Sequence, residues 1–174
     1  MKYFVAEATP KYYQPELKNW YNILNPRLVS QCRYDEIPHS VAFKVESNPR
    51  TFVSDVISFP YFMITYEAEG IINKYDSAFR SCRIHLFDKE NRSSKLLLLP
   101  LLEPMDCLTQ DTIYNRNRSD VLQPVLSIRK TEGLQLLRPK GFSLKKTVIG
   151  LDLAESLLRR QIRGLSLTEI KLSD

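Results

Sequence analysis

The chain has 174 residues, 43% hydrophobic and 26% charged, a balance that excludes a disordered or fibrous protein and is long enough to bury a core without disulfides or a metal. The longest apolar run, Leu96 to Leu102, contains Pro100 and is too short to cross a bilayer; the first residues lack the long apolar stretch of a secretory signal, so a cytoplasmic protein with no membrane partner is expected. The net charge of +5 is uneven: eight basic residues from Arg116 to Lys146 face only Asp120 and Glu132, giving +6 there and −1 for the rest, which would steer an acidic partner to that stretch.

Residues 1–58 read as a loop-rich part set by fixed proline turns. Within it, Tyr13, Leu17, Trp20, Tyr21 and Leu24 share one helical face, so a short helix is expected between Lys11 and Leu24. Val41, Phe43 and Val45 alternate with polar or smaller neighbours, as do Phe52 and Val56 against Val53 and Ile57. Two strands forming a hairpin around Ser47-Asn48-Pro49-Arg50 are expected.

Two weakly similar strand-helix-strand units follow, at 59–87 and 147–172. In the first, Tyr61 to Ile64 is an apolar strand, Thr65 can cap a helix striped by Ala68, Ile71, Ile72 and Tyr75, and Cys82, Ile84 and Leu86 mark the second strand. Leu96 to Leu102 reads as a buried strand and its exit. Pro124 to Lys130 and Leu134 to Arg138 read as a basic hairpin whose loop, Thr131-Glu132-Gly133, puts glycine where positive φ is needed. In the second unit Val148-Ile149 is the strand, and Asp152 with Glu155 has capping-box spacing. Leu151, Ala154, Leu158 and Ile162 form the stripe, and Gly164 the left-handed stop behind Arg159, Arg160 and Arg163. Many short strands and few helices give an α+β fold, as one mixed sheet or two small lobes within a single domain, 1–174.

Catalytic patterns are absent. His39 and His85 are 46 residues apart; His85 falls on the strand face opposite Ile84 and Leu86 and reads as a surface or interface imidazole. Cys32, Cys82 and Cys107 have neither disulfide-framework nor zinc spacing, and no phosphate loop, nucleophile elbow or metal-helix motif occurs. No cofactor and no metal are expected. Interface character is the stronger signal, because Tyr and Trp carry binding energy and Tyr12, Tyr13, Trp20 and Tyr21 cluster in sequence. These four are the candidate anchors, with Arg116, Arg118 and Lys130 steering the encounter.

Four stretches stand out together: the start Met1-Lys2-Tyr3-Phe4-Val5; Phe59-Pro60-Tyr61-Phe62-Met63-Ile64-Thr65 leading into a helix; Leu136-Leu137-Arg138; and Asp152 to Arg160 with Gly164-Leu165. In these the sequence resembles a family of small bacterial immunity proteins found beside polymorphic toxins, with Leu136-Leu137-Arg138 in the place of that family's hydrophobic-Phe-Arg signature. The resemblance implies a non-enzymatic protein that binds one cognate toxin domain and blocks it. The basic charge favours a neutral or acidic toxin over a basic nuclease. Two alternatives stay open: nucleic-acid binding through 116–146, the less favoured partner because only Tyr114 and Phe142 flank that segment, and an enzyme with an unrecognised site.

Overall fold

The computed structural model describes residues 1–174 and holds 18% helix and 37% strand, an α+β fold with mixed sheets. In chain order come β1 (Tyr3–Ala8), β2 (Glu16–Leu17), the short helices α1 (Trp20–Ile23) and α2 (Pro26–Ser30), and β3 (Ser40–Glu46). Then follow β4 (Val56–Ile57), β5 (Met63–Thr65), α3 (Glu69–Ile72), β6 (Ser81–Asp88) and β7 (Ser93–Pro100). Short strands β8 (Pro104–Met105), β9 (Ile113–Tyr114), β10 (Val121–Gln123) and β11 (Val125–Ser127) lead into α4 (Ile128–Thr131). After them lie β12 (Leu136–Pro139), β13 (Thr147–Gly150), α5 (Leu151–Arg159), β14 (Leu165–Glu169) and β15 (Lys171–Ser173).

Two sheets dominate, ordered β2-β3-β6-β7-β5-β4 and β14-β1-β13-β12-β8. In both, a strand-helix-strand run leaves a gap between its two parallel strands, and an antiparallel strand fills it. β7 pairs with β5 and β6, while β1 pairs with β13 and β14. The short strand before each run, β4 or β12, pairs antiparallel with the run's first strand. The halves therefore share a four-strand order, β6-β7-β5-β4 and β14-β1-β13-β12. Only the source of the inserted strand differs. In the first half it follows β6 across a short turn; in the second it comes from the other end of the chain.

Three apolar clusters follow from these faces. One packs Leu24, Val29, Tyr34 and Ile37 over Phe43, Ile84, Leu86 and Leu97 of the six-stranded sheet. A second joins the halves, placing Ile71 and Ile72 of α3 and Leu153, Ala154 and Leu157 of α5 against Ile64, Leu98, Ala6 and Ile149. The third covers the far face of the five-stranded sheet with Cys107, Val121, Leu126 and Phe142 against Tyr3, Leu137 and Val148. Burying each such leucine or isoleucine contributes about 1.5–3 kcal/mol. The seam is polar too. Asp55 accepts from Lys95 Nζ at 2.5 Å and from the Arg163 amide at 2.6 Å, and its own amide donates to the Arg163 carbonyl at 3.0 Å.

Tertiary pairing overrides several local expectations. The short helix expected between Lys11 and Leu24 is confined to Trp20–Ile23: Leu17 pairs with Val45, and Asn19 takes a left-handed φ of 51°. Ser47 to Arg50 does turn, but the strands on either side do not form a hairpin, since β3 pairs with β2 and β6 while β4 pairs with β5. Local closure of β4 on β5 wins because Val56 and Ile57 are fully buried there.

The expected basic hairpin also dissolves. β11 pairs in parallel with β15, residues 128–131 become α4, and β12 joins β13; Gly133 does have the positive φ, 78°. At α5 the cap position belongs to Gly150 rather than Asp152, whose carboxylate instead accepts from Gln135 Nε2 at 3.3 Å. The buried stripe is Leu153, Ala154 and Leu157, with Leu158 more than half exposed, because the helix turns its contact face toward α3 as well as the sheet. Gly164 has the left-handed φ of 83°, but it lies beyond the helix end at Arg159, in the turn just before β14.

Candidate binding surface

The sequence around Trp20 builds an aromatic cluster on the outside of the first apolar layer. Asn19 in the left-handed region swings the chain so that the half-buried Trp20 lands edge-on against three rings: Tyr21 at 5.8 Å, Phe59 at 5.9 Å and Tyr61 at 5.8 Å. Edge-to-face geometry suits the ring quadrupoles and leaves outer faces free. Tyr21 is 55% exposed and Phe59 49%, with Ile23 beside them in α1. Beneath lies Tyr61, whose buried hydroxyl has no hydrogen-bond partner; burial pushes its pKa up to about 12, so it stays neutral.

Lys145 connects this cluster to the basic stretch, its Nζ lying 5.0 Å from the centre of the Phe59 ring. Next to it, Lys146 pairs with Asp120 at 3.1 Å, and Asp120 also accepts from the Ser143 and Val121 amides. Asp120 thus closes the loop 115–120, which Asn115, Asn117 and Ser119 bond internally, and it spends its charge inward. Arg116 and Arg118 stand exposed on that loop. Neither they nor Lys145 enter an ion pair, so the flank carries an uncompensated positive field beside its rings.

The seven residues expected to meet a partner are therefore not one patch. Trp20 and Tyr21 connect to the Arg116 and Arg118 loop through Phe59, Lys145 and then Lys146, which pairs with Asp120; Phe59 and Lys145 are two residues that sequence reasoning missed. Phe59 was legible only as an aromatic before Pro60, and its partners come from other segments. Tyr12 packs instead on Phe52 at 5.0 Å, and Tyr13, 65% exposed, bridges to Thr51. Lys130 pairs with Asp106 at 3.4 Å and is spent locally.

The largest hollow, about 650 Å³, lies elsewhere, lined by Asp35, His39, Glu69, Arg80 and Arg83 among others. Its acids face guanidinium groups: Asp35 pairs with Arg80 at 2.9 Å and Glu69 approaches Arg83 at 4.0 Å. No carboxylate orients His39, so the hollow assembles no acid-base relay. Near its inner wall Arg138, only 9% exposed, donates to the Cys32 sulfur at 3.1 Å, and the Tyr34 hydroxyl donates to the Leu102 carbonyl at 2.6 Å, tying the halves together. Burial raises the Tyr34 phenol, and it pushes the Cys82 and Cys107 thiols up to about 11, leaving both inert near neutral pH. No three His, Cys, Asp or Glu side chains gather within reach of one metal ion, and no helix is long and apolar enough to cross a membrane.

No protein-family model matches the chain, and no curated protein matches it.

Proposed function

We propose that this protein is a cytoplasmic immunity protein that binds a cognate toxin domain and neutralises it by covering a surface the toxin needs. The observation that carries the reading is the flank where Trp20, Tyr21 and Phe59 present free ring area beside Lys145, next to which Lys146 ties down, through Asp120, the loop that carries Arg116 and Arg118. Aromatic anchors next to cations with no internal partner fit an acidic protein surface: the rings supply affinity and the charges speed encounter. The family resemblance of the sequence agrees with this. The test is co-expression with the protein encoded immediately upstream, scored by growth rescue and by a 1:1 complex on size exclusion. Trp20→Ala or Tyr21→Ala weakens the complex at least about tenfold, while charge reversal at Arg116 and Arg118 lowers the association rate and its salt dependence. Loss of neither rescue nor complex in these variants would remove the flank from the interface; no rescue by the wild type would remove the reading.

A further inference from the structure

The six-stranded sheet has one face with no chain laid over its β3 and β6 side. Along β6, Cys82, Ile84 and Leu86 point into the layer under the N-terminal segment, so Arg83, His85 and Phe87 point the opposite way. On that face α3 and its neighbours cover Val56 of β4, Ile64 of β5 and Leu98 of β7, the strands away from β3 and β6. Phe87 is 49% exposed, and its ring lies parallel to His85, at 11° and 6.4 Å between centres. At the other end of the row Tyr66, 36% exposed, holds the Arg83 guanidinium 5.3 Å from its ring centre.

Cations border these rings. Lys44 sits directly across the ladder from Phe87, and Lys89 and Arg92 lie exposed in the turn that follows β6. None of the three enters an ion pair, whereas the acid next to Lys44, Glu46, is bound to Lys18; only Glu90 in the turn opposes them.

We infer that this face binds single-stranded nucleic acid, with bases stacked on Phe87, His85 and Tyr66 and phosphates passing Lys44, Lys89 and Arg92. Rings at two-residue spacing on an exposed strand offer π-faces to unpaired bases, and a duplex keeps its bases stacked on one another where such rings cannot reach them. Charge complementarity argues for this occupant over a protein helix, because cations interrupt the apolar area where a helix would need it continuous. The surface lies across the sheet from the Trp20 layer, so it is separate from the proposed toxin-binding flank.

Fluorescence anisotropy on the full chain tests this, with end-labelled mixed-sequence RNA and DNA of about 12 nucleotides, single- and double-stranded, at about 50 and about 200 mM salt. A single strand binds at least about tenfold more tightly than the duplex of the same sequence, and affinity falls with salt. Phe87→Ala and His85→Ala each weaken it about tenfold, Phe87→Tyr retains it, and Lys44→Ala flattens the salt dependence. Preference for RNA over DNA would add the 2′-hydroxyl to the recognised groups, and equal binding would confine recognition to bases and phosphates. The inference is overturned by no binding, by equal duplex binding, or by binding unchanged in a Phe87→Ala variant of normal melting temperature. A dimer in sedimentation that Phe87→Ala dissolves would equally overturn it, since a second copy would then occupy the face.

Discussion

The two halves build the same four-strand frame from unlike chain. In the first, β7 enters between β5 and β6 directly after a short turn, so its pairing closes a small loop. In the second, β1 enters between β13 and β14 from the opposite end of the chain, so its pairing closes a loop of nearly the whole protein. Loop-closure entropy grows only with the logarithm of length, so both are affordable, but the second half cannot complete itself until distant segments meet. The halves also differ in cover. The five-stranded sheet is packed on both faces, whereas the six-stranded sheet leaves Arg83, His85 and Phe87 open. A shared topology thus fixes pairing and leaves surface free to vary.

The comparison breaks most severely if β1 is removed. Deleting residues 1–8 takes away the strand hydrogen-bonded to both β13 and β14, together with fully buried Tyr3 and Ala6; loss of a cooperative thermal transition is expected in circular dichroism. A smaller effect comes from the counterpart strand: Leu98→Ala opens a cavity in the cluster joining the halves and costs about 3 kcal/mol, a fall of roughly 10 °C in melting temperature. Equal stability of Leu98→Ala and wild type would show that the joint cluster does not bind the halves.

Two glycines at unlike places, Gly70 inside α3 and Gly164 in the turn between α5 and β14, sharpen the contrast further. Gly164, at φ 83°, would place a new Cβ 2.7 Å from Ser54 atoms, whereas Gly70 in α3 has no atom within 4 Å of one. Gly164→Ala is therefore destabilising by about 1–2 kcal/mol, and Gly70→Ala stabilising by about 0.5–1 kcal/mol, both read from denaturant midpoints.

The mildest expected effect concerns the turn that makes β7 local. The Asp88 carboxylate accepts from the Asn91 amide at 3.0 Å, the Glu90 amide at 3.1 Å and Asn91 Nδ2 at 2.8 Å. These bonds, led by the Asn91 amide, hold its pKa below the usual 3.8. A depressed carboxylate stabilises the fold above its unfolded value and loses that contribution as pH falls through the folded one. Stability measured below about pH 4 should therefore drop more steeply in the wild type than in Asp88→Asn. Parallel pH profiles for the two would show that the turn does not depend on this charge.

Much of the frame was legible residue by residue. Alternation at Val41, Phe43 and Val45 and at Cys82, Ile84 and Leu86 marked β3 and β6 with their buried sides, and hence placed His85 on an outer face. Helical spacing at Ala68, Ile71 and Ile72 found the face that buries. Register across α5 slipped: helical spacing gave Leu151, Ala154, Leu158 and Ile162 as the stripe, while the helix buries Leu153, Ala154 and Leu157 because it meets α3 as well as the sheet. The aromatic flank was half legible: Trp20 and Tyr21 were named from their type, but Phe59 and Lys145 reach them from segments about forty and one hundred and twenty residues away.

Local chemistry, then, decided what repeats within a few residues: strand alternation, the helical face of Ala68, Ile71 and Ile72, the positive φ of Gly133 and Gly164, and the charge of 116–146. Tertiary structure alone decided which strands are neighbours. β3 abandoned the nearby 52–57 segment for β6, β11 took β15, and β1 crossed the chain to sit between β13 and β14. The physical reason is that a strand's side-chain period states which face it buries and says nothing about its neighbour; pairing goes to whichever distant edge lets both buried faces close at once.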